Sequence, residues 1–279
     1  MTTSWVSRPA ATVCALCLAV PVAAQRVTLE VRPRPGDTLY VTLDQSVTIT
    51  GGPRNFPDSA TTITTTYHVA TRDIIERADE KGTFVLAVVD SMRMKTTGSF
   101  GASPFPGVDR GMERVRVRLR VMRDGSSQIV DGITQLDPEL RELLGEMPSV
   151  LPTAPVKAGD SWTRNLPLPA GPDASGQESG TLRATFKLDS LSDNGDRAWI
   201  SMRGRLDAGA MAADGDGATV TKMTGTLTGT LVLDRRRGWL DRTQARVDIE
   251  SIVATPGGGA PLLVKVRVEQ LMQTVAPRR

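Results

Sequence analysis

The chain of 279 residues is 39% apolar and holds a further 26 glycines, the make-up of an ordinary folded protein, which excludes wholesale disorder. Its 34 basic and 31 acidic side chains leave a net charge of +3, too weak a field to recruit nucleic acid. Four Trp, two Tyr and five Phe are too few for a surface that stacks sugars or bases.

Residues 1–24 read as a secretory signal peptide, with Arg8 ahead of an uncharged apolar stretch from Ala10 to Val20. That stretch is too short to cross a bilayer as a helix, which takes about 20 residues. Pro21 breaks it, and Val22-Ala23-Ala24 offers small residues for cleavage before Gln25. Both cysteines, Cys14 and Cys17, lie inside this segment, preceded by Val13 and Leu16, which suits lipid attachment poorly. The chain beyond it has no cysteine, hence no disulfide and no thiolate chemistry, although export would permit disulfides. No later apolar run reaches membrane-spanning length. The expected location is therefore periplasmic or extracellular, with a soluble or surface-associated chain.

Residues 25–279 are expected to form a single β-rich domain, because period two dominates them. Val27, Leu29 and Val31 alternate with polar partners; so do Leu39, Val41, Leu43, Val47 and Ile49, then Ile63, Tyr67 and Val69 in a threonine-rich run. Residues 84–89 are apolar on both faces, as in a strand covered on both sides. Val115, Val117, Leu119 and Val121 alternate with Arg114, Arg116, Arg118 and Arg120. Asp137 and Pro138 can open a helix whose Leu140, Leu143, Leu144 and Met147 keep helical spacing, and Pro148 and Pro152 end it. Alternation resumes at Leu182, Ala184, Phe186 and Leu188, then at Val247, Ile249, Ser251 and Val253, and finally at Leu262, Val264, Val266 and Val268. Residues 98–111, 169–180, 207–218 and 255–261 lack periodicity and are rich in Gly, Pro, Ala and Ser, so they read as loops.

The chain also repeats itself. Gly36-Asp37-Thr38-Leu39 is echoed by Gly159-Asp160-Ser161-Trp162, the turn before Gly82 by that before Gly195, and Gly125 by Gly238. This points to two β-meanders, about 27–134 and 159–275, with a helical connector at about 137–147. Each alone would bury little; together they can form one curved antiparallel sheet or a half-open barrel.

With Leu29 to Asp37, the run from Pro152 to Trp162 and the glycine-turn strands from Leu231 to Trp239, the chain resembles a group of exported bacterial β-rich proteins of unknown function. Its strand order with one internal helix is more distantly similar to the LolA and LppX type of lipid and lipoprotein carriers. That resemblance implies a half-open barrel around an apolar cavity, and it carries over no site residue.

Chemistry is sparse. His68 is the only histidine, which with no cysteine past residue 24 excludes a multi-His or Cys zinc site. Its position among Thr62, Thr64 and Thr66 fits a half-exposed strand histidine better than a general base, since no nucleophile elbow accompanies it. No phosphate loop or dinucleotide fingerprint is present. Asp193-Asn194-Gly195-Asp196 and Asp214-Gly215-Asp216-Gly217 carry calcium-type oxygens but read as tight turns, lacking the twelve-residue loop. Trp162, Trp199 and Trp239 read as core or strand-cap residues. The arginine stripe reads as a solvated face answered by neighbouring acids, with an anionic docking strip as the other reading.

A non-enzymatic role without cofactor or metal is expected. Met223, Gly225, Leu227 and Gly229 share one strand face, where missing side chains mark either ligand approach or a sheet that must bend. Met92, Met94 and Met202 suit an adaptable apolar surface beside them. Two classes remain: a binding module with these seven residues lining a site for lipid or another apolar ligand, and an envelope scaffold contacting other proteins.

Overall fold

The computed structural model describes residues 26–55, 59–98, 115–132, 146–167, 181–208, 219–254 and 259–276. The expected leader, residues 137–145 of the expected helix and most of the four loop segments lie outside these.

Twelve strands follow in order: β1 (Thr38–Pro53), β2 (Thr61–Ala78), β3 (Gly82–Gly98), β4 (Arg116–Met122), β5 (Ser127–Asp131), β6 (Glu146–Met147), β7 (Ser161–Pro167), β8 (Thr181–Leu191), β9 (Arg197–Ala208), β10 (Thr219–Asp234), β11 (Trp239–Ala254) and β12 (Leu262–Val275). They make one antiparallel sheet in the order β6-β5-β4-β3-β2-β1-β12-β11-β10-β9-β8-β7. Each half of the chain is an up-and-down meander, and the halves lie side by side, joined by β1 against β12 along Tyr40↔Val275 to Pro53↔Leu262. The sheet is curved and does not close into a barrel: β6 and β7 remain its edges. Glu146 and Met147 pair with Gln128 and Ser127, so the end of the expected helix is strand instead. Asp207 and Ala208, expected in a loop, pair with Thr224 and Met223.

The alternating residues explain the curl. Leu39 and Val41 on β1, Ile75 on β2, Val85 on β3, Val121 on β4, Phe186 and Leu188 on β8, Ile200 on β9 and Leu231 and Leu233 on β10 form one buried cluster. All lie on one face, most of them towards one end of the sheet, so that end is drawn together while the opposite face stays wet. Three segments seal it. Residues 26–37 cross the gathered end: Val27 pairs with Val156, Val31 N–H donates to Arg123 O at 2.8 Å and Arg32 N–H to Gly238 O at 2.8 Å. Leu29 and Val31 are buried by this passage. A Cβ on Gly238, whose φ is +64°, would strike the Arg32 backbone, so this turn must be glycine. The stretch between β6 and β7 ties the two edges: Val150 and Leu151 N–H donate to Asp124 O, and Trp162 Nε1 donates to Val150 O at 2.9 Å.

The two Gly-Asp echoes make the same hydrogen bonds. Gly36 N–H donates to Ile75 O and Ile75 N–H to Asp37 O; Gly159 N–H donates to Leu188 O and Leu188 N–H to Asp160 O. Both glycines have φ near +90°. Gly125 and Gly238 likewise both sit at positive φ, in the β4–β5 and β10–β11 turns. Gly82 and Gly195 do not correspond. Gly82 opens β3 after a two-residue turn closed by Asp79 N–H to Gly82 O, whereas Gly195 sits within a longer turn closed by Ser192 N–H to Arg197 O.

Candidate functional site

Strand register lines up one row of residues across seven strands: Met94, Tyr67, Gln45, Gln270, Ala245, Gly229 and Met202, each the partner of the next. They face the same side as the buried cluster, the concave side. Because the sheet curls, the far ends of this row, Met94 on β3 and Met202 on β9, border one cavity of about 1160 Å³. A second hollow of about 530 Å³ lies four residues further along the strands, at Val266, Ile249, Gly225 and Leu206. Between them runs the row Val47, Val268, Val247, Leu227 and Gly204. Val47, Val247, Ile249, Val266 and Val268 are only half-buried. The trough is therefore a largely apolar strip with unfilled space at both ends, against Gln45, Tyr67 and Gln270 at one and against Ile249, Val266 and Leu206 at the other.

All seven candidate residues lie on this concave face. Met94, Met202 and Gly229 border the first cavity and Gly225 the second. Leu227 and Met202 are buried, and Met223 packs against the core. Met92 pairs with Val69, one row nearer the gathered end. The glycines have a backbone reason as well. A Cβ on Gly229 would strike the Gln244 carbonyl oxygen and the tip of Met202. On Gly204 it would come within 2.6 Å of a Leu182 methyl, and on Gly225 within 3.0 Å of the Asp248 carbonyl oxygen. These positions are empty because neighbouring strands approach closely where the sheet bends.

Three residues that sequence reasoning passed over, Gln45, Tyr67 and Gln270, sit together at the centre of the row. The signal was there: Gln45 interrupts Leu43 and Val47, and Gln270 interrupts Val268 and Met272 in the apolar phase. Burial pushes the Tyr67 phenol up from its usual range. Thr65 and Thr96, one row along, bond each other at 3.2 Å. Among the described residues, no Asp, Glu, Lys or Arg shares the strand phase of this row on β9, β10, β11, β12, β1 and the upper part of β2 and β3; Asp44, Arg93, Lys95, Arg203, Arg246 and Glu269 border the first cavity from the alternate positions. Asp73 lies nearer the gathered end, between Leu39 and Ala87; its Oδ1 is buried without a partner, and burial raises its carboxyl to about 6.

The convex face carries the charges. His68 Nδ1 lies 2.6 Å from Asp44 Oδ1, and no hydroxyl bonds the ring among the described residues. Arg118 pairs with Glu76 and Asp131, and Arg120 with Asp79, so the arginine stripe is an outer face answered by acids. Arg114 lies outside the described residues. Phe84, on the strand expected to be covered on both sides, is capped outwardly by the guanidinium groups of Arg77 at 4.1 Å and Arg120 at 5.1 Å. Asp248 is held below the usual carboxylate range by hydrogen bonds from Arg246 and Arg267. In the turn from Ser192 to Arg197, Asn194 bonds both Ser192 and Asp196, so those oxygens serve the turn. Asp214 to Gly217 lies outside the described residues. Trp162 stacks on Phe186 at 5.9 Å and Trp239 packs on the core, whereas Trp199 is 37% exposed and is not a core residue.

Residues 137–240 match the model of DUF6263, a family of unknown function. No curated protein matches the sequence. Among solved structures, lipovitellin, in a structure describing its lipid–protein interactions, is similar with a TM-score of 0.45 and 9% identity, over 89% of this chain and 26% of that one. The chain thus spans about a quarter of the lipovitellin chain. A protein described as exported, with a YmcC-like fold, from Bacteroides fragilis, is similar at TM-score 0.18 and 9% identity, over 86% of this chain and 98% of that one. Both likenesses are too slight to speak to function. No helix among the described residues is long and apolar enough to cross a membrane.

Proposed function

We propose that this protein is an exported, non-enzymatic binding module that holds an apolar ligand, such as a lipid, against its concave face. One observation carries the reading: seven strands wrap an uncharged row around about 1160 Å³ of unfilled space, somewhat above the usual size of small-molecule pockets, about 300–1,000 Å³. Water in the second hollow, against half-buried Ile249 and Val266, is unfavourable at about 25 cal/mol per Å² of apolar surface, so an apolar guest gains by displacing it. Export is supported by the leader pattern of residues 1–24. The non-enzymatic reading is supported by His68, whose ring is engaged with Asp44 at the border of the cavity and bonds no hydroxyl among the described residues.

The test is native mass spectrometry of the purified protein, with solvent extraction of whatever accompanies it. An apolar molecule of fixed mass, lost on extraction and regained on incubation, is the expected result. A protein that carries no such molecule and takes up no hydrocarbon probe would overturn the reading.

A further inference from the structure

On β1 from Leu43 to Ile49 and on β12 from Val264 to Met272, the inward apolar phase is broken only at Gln45 and Gln270. Gln45, Gln270 and Tyr67 are register neighbours on β1, β12 and β2, flanked by Leu43, Met272 and Val69 on one side and by Val47, Val268 and Thr65 on the other. Neither glutamine amide has a hydrogen-bond partner among the described residues. We infer that the trough selects a neutral amphiphile, whose uncharged ester, amide or hydroxyl group is bound at Gln45 and Gln270 while its alkyl chain runs along Val47, Val268 and Val247. The inference rests on the binding-module reading and adds the ligand's chemistry to it.

Both alternatives at this site are penalised. A pure hydrocarbon would cover two primary amides and leave their donors and acceptors unpaired, which is costly in an apolar setting. A fatty carboxylate would lose its hydration facing glutamine and tyrosine, because the cations that border the cavity, Arg93, Lys95, Arg203 and Arg246, stand at the alternate, outward strand positions. A primary amide donates and accepts at once, so the pair matches a carbonyl with a neighbouring hydroxyl. Length fits too. From Gln45 to Gly51 the strand advances about 20 Å at 3.3 Å per residue. One leaflet of a bilayer's hydrocarbon core is about 15 Å thick. The trough therefore has room for one acyl chain along it.

The test uses the purified chain and diphenylhexatriene, a fluorescent hydrocarbon, displaced by monolauroylglycerol, laurate and dodecane. Monolauroylglycerol should displace the probe at concentrations at least tenfold below those of laurate and dodecane. The double variant Gln45→Leu/Gln270→Leu should still take up the probe, with that preference reduced to within twofold; Gln270→Met alone gives the same readout with less change in the wall. If the probe binds but the three competitors rank equally, or laurate ranks first, or the preference survives both variants, the neutral-headgroup inference fails and the binding module stands. If the probe and all three lipids fail to bind, both fall.

Discussion

The same substitution at two places on one face separates a packed core from an open trough. Ile200 on β9 is buried to 1% exposure between Leu231 and Leu188, whereas Ile249 on β11 is half-buried between Gly225 and Val266. Replacing isoleucine by alanine removes three carbons. At about 0.8 kcal/mol per buried carbon, Ile200→Ala loses about 2.4 kcal/mol of transfer free energy, and the void left behind adds to it. The total should fall at about 3–4 kcal/mol, inside the 2–5 kcal/mol range for such truncations. Ile249→Ala opens no new void, because space already lies before that side chain. It also starts from partial exposure, so its cost should be about 1 kcal/mol. Urea unfolding of ligand-stripped protein, followed by tryptophan fluorescence, reads both midpoints. Equal losses of about 3 kcal/mol at the two sites would refute the reasoning, because they would mean that something already fills the trough as a core.

Asp73→Asn should stabilise the protein at pH 8, by at most about 3 kcal/mol for a shift of about two units. The wild-type carboxyl is raised to about 6, so its folded form is favoured at low pH and that advantage is lost as pH rises through 6; the variant's gain should therefore vanish near pH 4. Urea midpoints between pH 4 and pH 8 check this, and a gain independent of pH would contradict it. Gly229→Ala should cost about 1–3 kcal/mol, since a methyl there meets the Gln244 carbonyl and strands cannot part cheaply, and Gly225→Ala less. Thermal melts of the two variants give the order. Gly36→Ala and Gly159→Ala should each cost about 1–2 kcal/mol, because both require positive φ with open space around them, and the double variant should show the sum. Unequal costs from chemical denaturation would break the equivalence of the two turns.

The sheet was legible wherever one face of a strand is wet. Val47 and Ile49 alternate with Thr48 and Thr50, and the structure turns the first pair inward and the second outward, where the threonines of β1 and β2 bond each other. Alternation reports one-sided burial and not ladder formation, which is why Val27, Leu29 and Val31 look like a strand and are instead a crossing segment with a single bridge. Pairing between β1 and β12 left no local trace, since no turn joins them. Leu231 and Val247 carry the same periodicity, yet one is core and the other trough wall; the difference lies in the curl, which no window of sequence contains. Gln45 and Gln270 were visible only as gaps in the apolar phase, and their adjacency depends on a register spanning more than two hundred residues.

The seam between the two meanders sets a condition on how the molecule is made. β1 leaves the exit channel first among the strands and β12 last, so one long edge of the first meander waits unpaired until nearly the whole chain is present. An edge of sixteen residues, threonine-rich on one side and apolar on the other, is a template for any passing strand. Contacts so distant in sequence also form slowly, because loop closure precedes their reward. The interval before β12 docks is thus the chain's most vulnerable moment. A chain shortened before Leu262 would keep that edge open for its lifetime and meet its own copies there.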